Sequence, residues 1–332
     1  MKRDAAWFVP AAPALLYPFL LHAFSEAAGA AGTHPNAALA VIGWLCLLMA
    51  GATPLIGLGW AYRLRGASDA ASDRARVRAR TLAFLTMIAP PLFVFIGVTR
   101  GLIGHPLSDE TIWLVCWGAA ILFIGFRSPA PAQAPPSWLR VAHGVLASLI
   151  VLFVAFHLSN HLSGLVGPEL HAAIMKAGRT VYRFPLVEVL LVGLLLGQIV
   201  TGLVLARRWA RLPGDGFRVL QIGSGLYLAA FIVAHLNSAL ISARAVRHIE
   251  TDWAWASGAP EGLIHDAWNI RLVPHYGWGA FFVLAHLSLG LRQIMIAHGV
   301  PLTLANRLWV AGIIVCGLVA VAITAALLGL RA

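Results

Sequence analysis

Apolar residues fall in long unbroken blocks along this chain, separated by short stretches that hold most of its charge. The blocks cover about residues 7–27, 37–62, 81–101, 111–126, 139–163, 185–206, 218–243, 275–298 and 308–330. Most reach the ~18 residues that cross ~30 Å of hydrocarbon, whereas barrel strands need only ~9–11. Lipid offers no hydrogen-bond partner to a bare peptide group, so a spanning segment of this length closes its bonds internally as a helix. The pattern therefore predicts an all-α integral membrane protein with about nine transmembrane helices. The block at 111–126 is the shortest and borders a proline-rich flank.

That flank is Ser128-Pro-Ala-Pro-Ala-Gln-Ala-Pro-Pro136, and four prolines in nine residues exclude a helix and read as an extended linker. The chain then divides into an N-terminal four-helix membrane module at 1–127, a linker at 128–137 and a five-helix module at 138–332. The first block follows Met-Lys-Arg and precedes Ala28-Gly-Ala30, in imitation of a signal peptide. Its apolar run is longer than a signal core, so it reads as an uncleaved first helix. Blocks two and six both end in aromatic–arginine clusters (Trp60-Ala-Tyr-Arg63 and Arg207-Arg-Trp-Ala-Arg211). His22 falls late in block one much as His157 falls late in block five, the outline of a worn duplication.

Composition sharpens this picture. The chain is 60% hydrophobic and 11% charged, against roughly a quarter charged in soluble domains. Loops on the N-terminal side hold fifteen lysines and arginines, those opposite hold eight, so the N-terminus is expected in the cytoplasm and the C-terminus outside. A bacterial-type inner membrane suits that bias. The net charge of +11 is then a topology signal, and Arg74–Arg80 is a cytoplasmic loop and not a nucleic-acid surface. Cys46, Cys116 and Cys316 lie far apart inside apolar blocks with no CxxC or zinc spacing, as small core residues do.

Histidine carries the candidate chemistry. Of thirteen, His22, His143, His157, His235 and His286 lie well inside apolar blocks, where an ionisable side chain is costly and marks a functional-site candidate. His161 and His298 sit at block ends. His157 lies 18 residues beyond Leu139 and His235 lies 17 beyond Arg218. At ~1.5 Å per residue both come roughly 25–27 Å from the cytoplasmic face. Two neutral imidazoles facing each other at one depth in a helical bundle are what bis-histidine haem needs. Each ring's other nitrogen is expected to donate to a carbonyl or polar side chain one turn away. His143, Gln198 and His286 form a second level nearer the cytoplasm, geometrically able to hold a second haem between His143 and His286.

From about Arg140 to Val300 the chain resembles the haem-bearing membrane anchor of succinate dehydrogenases and fumarate reductases, in its five-helix dihaem cytochrome b form. The similar stretches are Arg140-Val-Ala-His-Gly144, Phe156-His-Leu-Ser-Asn-His161, Tyr182-Arg-Phe-Pro-Leu-Val-Glu188, Gln198-Ile-Val-Thr-Gly202, Ala234-His-Leu-Asn237 and Ala285-His-Leu-Ser-Leu-Gly290. The resemblance implies a five-helix core, haem b and quinone as electron partner, with His157 and His235 as metal ligands of the outer haem. Where the family has the histidine that pairs with the one matching His286, this chain has Gln198. One haem per chain is therefore expected. The first four blocks have no counterpart in that family.

A polar cluster surrounds the outer level. Arg179 and Arg183 are candidates to pair with haem propionates, and His161, one turn beyond His157, is either a rival ligand or a further propionate contact. His171, Tyr182 and Glu188 are candidates to bind quinone and exchange protons with it. The loop 244–274, with Trp253, Trp255 and Trp268 beside Glu250, Asp252 and Asp266, is expected to cap that site along the membrane surface. No flavin, nucleotide or iron–sulfur motif is present, so oxidation of a soluble substrate would fall to a partner protein. The residues thus point to a b-type cytochrome passing electrons between a quinone pool and a partner, or sensing that pool. A haem-free anchor or assembly subunit, and a transporter, are the alternatives from other classes.

Overall fold

The computed structural model describes residues 6–33, 36–66, 73–126 and 133–332. It is helical, with no strand among the described residues. Seven helices are long and apolar enough to cross a membrane: α2 (Ala37–Arg63), α5 (Asp109–Phe126), α6 (Ser137–Ser163), α8 (Pro185–Trp209), α9 with the π-helix that follows it (Gly216–Val246), α11 with its 3-10 entry (Asn269–Ala297), and α12 (Leu302–Leu327). The chain is an all-α, multi-pass membrane protein, and large apolar side chains such as Leu152, Val189 and Val321 face outward, as lipid contact requires.

The expected count of nine is not reached on that measure. The block at 81–101 is not a straight span. α3 (Asp73–Met87) ends one residue before α4 (Ala89–Ile103), and the axes differ by 62°. Pro90 and Pro91 account for the break, because each lacks an N–H and its ring collides with the carbonyl four residues back. Counting this bent pair as one span gives up to eight. The first block is helical as α1 (Ala12–Thr33) but is not among them. His22 on α1 is largely exposed and meets Glu26 at 3.0 Å, so it does not repeat the inward placement of His157.

α6, α8, α9, α11 and α12 close into a ring in which α6 packs on α8, α8 on α9, α9 on α11, α11 on α12 and α12 back on α6. α2, α3 and α4 lie against the side of α9. Ala61, Ala83, Phe84 and Met87 there share one core with Val219, Ile222, Tyr227 and Phe282. Residues 128–132 of the proline-rich linker lie outside the described residues, and 133–136 is non-helical.

Two shorter features build the outer end. α7 (Pro168–Tyr182) starts with proline in its first turn, a position that needs no N–H, and buries His171 and Met175 one turn apart. Any side chain at Gly178 would overlap the Phe156 ring, so glycine lets α7 lie directly on α6. Residues 247–271 form a folded cap with a short helix, α10 (Trp253–Ser257). Trp253 sits where a side chain at Gly164 would be. The cap is tied to the N-terminal helices through Asp109, which accepts from Arg271 at 2.6 Å and also pairs with Arg100.

Candidate functional site

α6 and α9 are not adjacent in the ring, so inward side chains on them meet across its interior. His157 on α6 and His235 on α9 do so, with ring centres 5.9 Å apart. Two imidazoles on one iron stand about 6 Å apart at about 2 Å per bond. Phe153 stacks on His157 and Phe231 on His235, each one turn earlier on the same helix, which fixes the ring faces. The hydrogen bond expected from each ring's second nitrogen is not present at either residue among the described contacts; aromatic stacking takes its place.

The row of rings continues. His161 packs edge-on against His157 at 4.7 Å, His171 lies 5.6 Å from His161, and Trp253 of the cap lies 4.7 Å from His171. His161 lies two residues before the end of α6 and is partly covered there by His171 of α7. The Nδ1 atoms of His161 and His171 are buried without a partner, and Asn160 meets His171 Nε2 at 3.2 Å. Burial first, and the Arg179 charge second, hold the His171 imidazole below its ordinary pKa, with Asp252 pulling the other way.

All of these residues except Trp253 line a cavity of about 270 Å³. His157, His235, His161, Arg179, Arg183, His171, Tyr182 and Glu188 all face it, so the structure gathers eight sequence candidates into one site. Leu191, Val192, Leu195, Leu228, Ile232 and Val283 make its other walls apolar. A flat apolar macrocycle with an acidic edge fits this chemistry: two opposed imidazoles, hydrocarbon walls and cationic groups at one end. Among the described residues no three His, Cys, Asp or Glu side chains converge as a metal site.

The two arginines are already engaged. Arg179 donates to Glu250 Oε2 at 2.8 Å and to the Thr251 carbonyl at 3.0 Å, and Arg183 donates to Thr251 Oγ1 at 3.1 Å. They bind the cap down while lining the cavity. Glu188, a carboxylate inside an apolar block, pairs with Arg244 from the π-helix Asn237–Val246.

His143 and His286 are not part of this cavity. They meet at the second level with ring centres 6.3 Å apart, and Gln198 contacts His143 there at 3.1 Å.

Sequence reasoning missed Arg244, Asn160, Gln221 and His275. Arg244 sits just past the end of its apolar block, where a basic residue reads as an interface anchor. His275, nearly fully buried with an unpartnered Nδ1 and 4.5 Å from Phe231, opens its block and reads the same way. The apolar context of Gln221 was a usable signal. Comparison of this chain with family models, with curated proteins and with solved structures finds no match in any of the three.

Proposed function

We propose that this chain is a membrane-embedded b-type cytochrome that carries electrons between a quinone and a partner protein, or senses the redox state of the quinone pool. The observation that carries the reading is the His157–His235 pair, 5.9 Å apart across an apolar cavity inside a ring of membrane helices. Haem b, when bound, supplies a one-electron couple. His157 and His235 would hold the iron, His161 and the two arginines that tie down the cap would lie at the propionate edge, and the hydrocarbon walls would exclude water. Quinone is taken beside His171, Tyr182 and Glu188, where Tyr182 and Glu188 exchange protons with the ring as it is reduced or oxidised and Arg244 holds the Glu188 carboxylate. The topology that goes with this reading counts α1 and the bent α3–α4 pair as spans. That makes nine, with the N-terminus cytoplasmic and the cap outside, in a bacterial-type inner membrane. The resemblance of residues 140–300 to succinate dehydrogenase and fumarate reductase anchors supports the same assignment.

The test is an absorption spectrum of the full chain purified after haem-supplemented expression. A reduced-minus-oxidised α band of b type, lost in His157→Ala, is the expected result. A colourless protein overturns the reading in favour of a haem-free anchor.

A further inference from the structure

His143 and His286 are oriented as metal ligands, and more completely than the outer pair. Thr201 Oγ1 spends its one proton on the Gly197 carbonyl at 2.8 Å, so at 2.9 Å it accepts from His143 Nδ1–H. Ser224 Oγ likewise donates to the Leu220 carbonyl at 2.7 Å and accepts from His286 Nδ1–H at 2.9 Å. Two hydroxyls on two helices thus set the same tautomer in both rings, leaving each Nε2 as the acceptor atom. That is how proteins prepare imidazole for a metal. The rings belong to α6 and α11, which are not adjacent in the five-helix ring, and their 6.3 Å separation matches the roughly 6 Å of an axial pair.

What now occupies the lone pairs is poorly satisfied. Gln198 Nε2 meets His143 Nε2 at 3.1 Å and Gln221 Nε2 meets His286 Nε2 at 3.1 Å. In those positions the Oε1 atoms of both glutamines are buried with no donor. A buried amide oxygen without a donor is costly, so neither glutamine is well settled in this position. Glycines on α8 and α9 give the rings room: a Cβ at Gly202 would come within 3.1 Å of His143, and one at Gly225 within 3.0 Å of His286.

We propose that His143 Nε2 and His286 Nε2 are the axial ligands of a second haem iron, with Gln198 and Gln221 swung aside. This rests on the cytochrome reading and departs from the one haem per chain expected from Gln198. It assigns the ligand on α6, 14 residues before His157, in place of one on α8. Both centres then hang from one rigid helix, about 21 Å apart along its axis, and Thr201 and Ser224 are positioning residues that set the basicity of the ligands.

The experiment measures haem per chain by pyridine haemochrome, with low-spin electron paramagnetic resonance, on the full chain. Wild type should carry two haems, and His143→Ala and His286→Ala one each, with the His157-dependent signal intact as an internal report of folding. Thr201→Val and Ser224→Ala should keep two haems and shift the midpoint potential of the inner one alone. One haem in wild type, lost in His157→Ala and kept in His143→Ala, overturns the second site and leaves the function standing. One haem lost only in the His143 and His286 variants leaves the inner centre standing and removes the outer one. No haem in wild type ends both.

Discussion

Asp109→Asn should destabilise the protein by about 2–4 kcal/mol, although it lies on the N-terminal helices and far from either histidine pair in sequence. Its carboxylate is 5% exposed and faces the Arg271 guanidinium, which is 8% exposed. Breaking a buried pair by removing one partner costs about 3–5 kcal/mol, because the other charge is left buried. Part of that is offset: Arg271 keeps its bond to the Trp268 carbonyl at 3.0 Å and lies over Phe93 at 4.4 Å and Trp268 at 4.9 Å, and such cation–π contacts hold about 1–2 kcal/mol when desolvated. Arg100, a third exposed, reaches water and adds less than about 1 kcal/mol. Adding Arg271→Met removes the orphaned charge, so the double variant should regain most of the loss, to within about 1 kcal/mol of wild type. Equilibrium unfolding in mixed micelles, followed by tryptophan fluorescence, measures all four corners of the cycle. The reasoning fails if Asp109→Asn lies within about 0.5 kcal/mol of wild type, or if the double variant is no more stable than Asp109→Asn alone.

Three further outcomes follow from the outer site. His157→Ala and His235→Ala should each abolish the outer haem, while His161→Ala keeps it with a shifted potential; the reverse pattern between His157 and His161 would place the ligand one turn away. Glu188→Gln and Arg244→Met should each weaken a quinone analogue about tenfold, a loss of about 1.4 kcal/mol, and unchanged affinity in both would make the pair purely structural. Ser257→Cys should react with an impermeant maleimide from outside the cell only, and labelling from the cytoplasm alone would invert the topology.

The spans were legible because hydrocarbon imposes one solution on any long apolar run, and the depth of His157 and His235 was legible because helical rise is nearly constant. Apolar content, however, hid the break at Pro90-Pro91. The apolar residues on both sides carry the block across the pair, and only proline's missing N–H tells that the helix must bend there. Pairings across distant blocks were illegible for a different reason. Glu188 announces that it needs a partner, yet nothing local says that Arg244, 56 residues on, turns inward, because that depends on a π-helix that shifts the register beyond His235. Asp109 and Arg271, 162 residues apart, depend on how α4 leans on α9. The inner level was legible in part: His143 and His286 could be placed at one height, while the hydroxyls that set their tautomers belong to α8 and α9 and emerge only once four helices are packed.

The lean of α4 has one more consequence. Tyr227 and Val219 on α9 are wholly covered, Phe282 on α11 likewise, and beyond the apolar contact Asn237 donates to Thr99 Oγ1 at 3.2 Å while Arg271 reaches Asp109. A chain cut at the proline-rich stretch would uncover the apolar flank of α9 and strip the Asn237 amide and the Arg271 guanidinium of their partners. The first helices therefore work as insulation. They keep one wall of the five-helix ring in a polar-tolerant setting, so that α9 can carry an amide on a side that lipid alone would not satisfy.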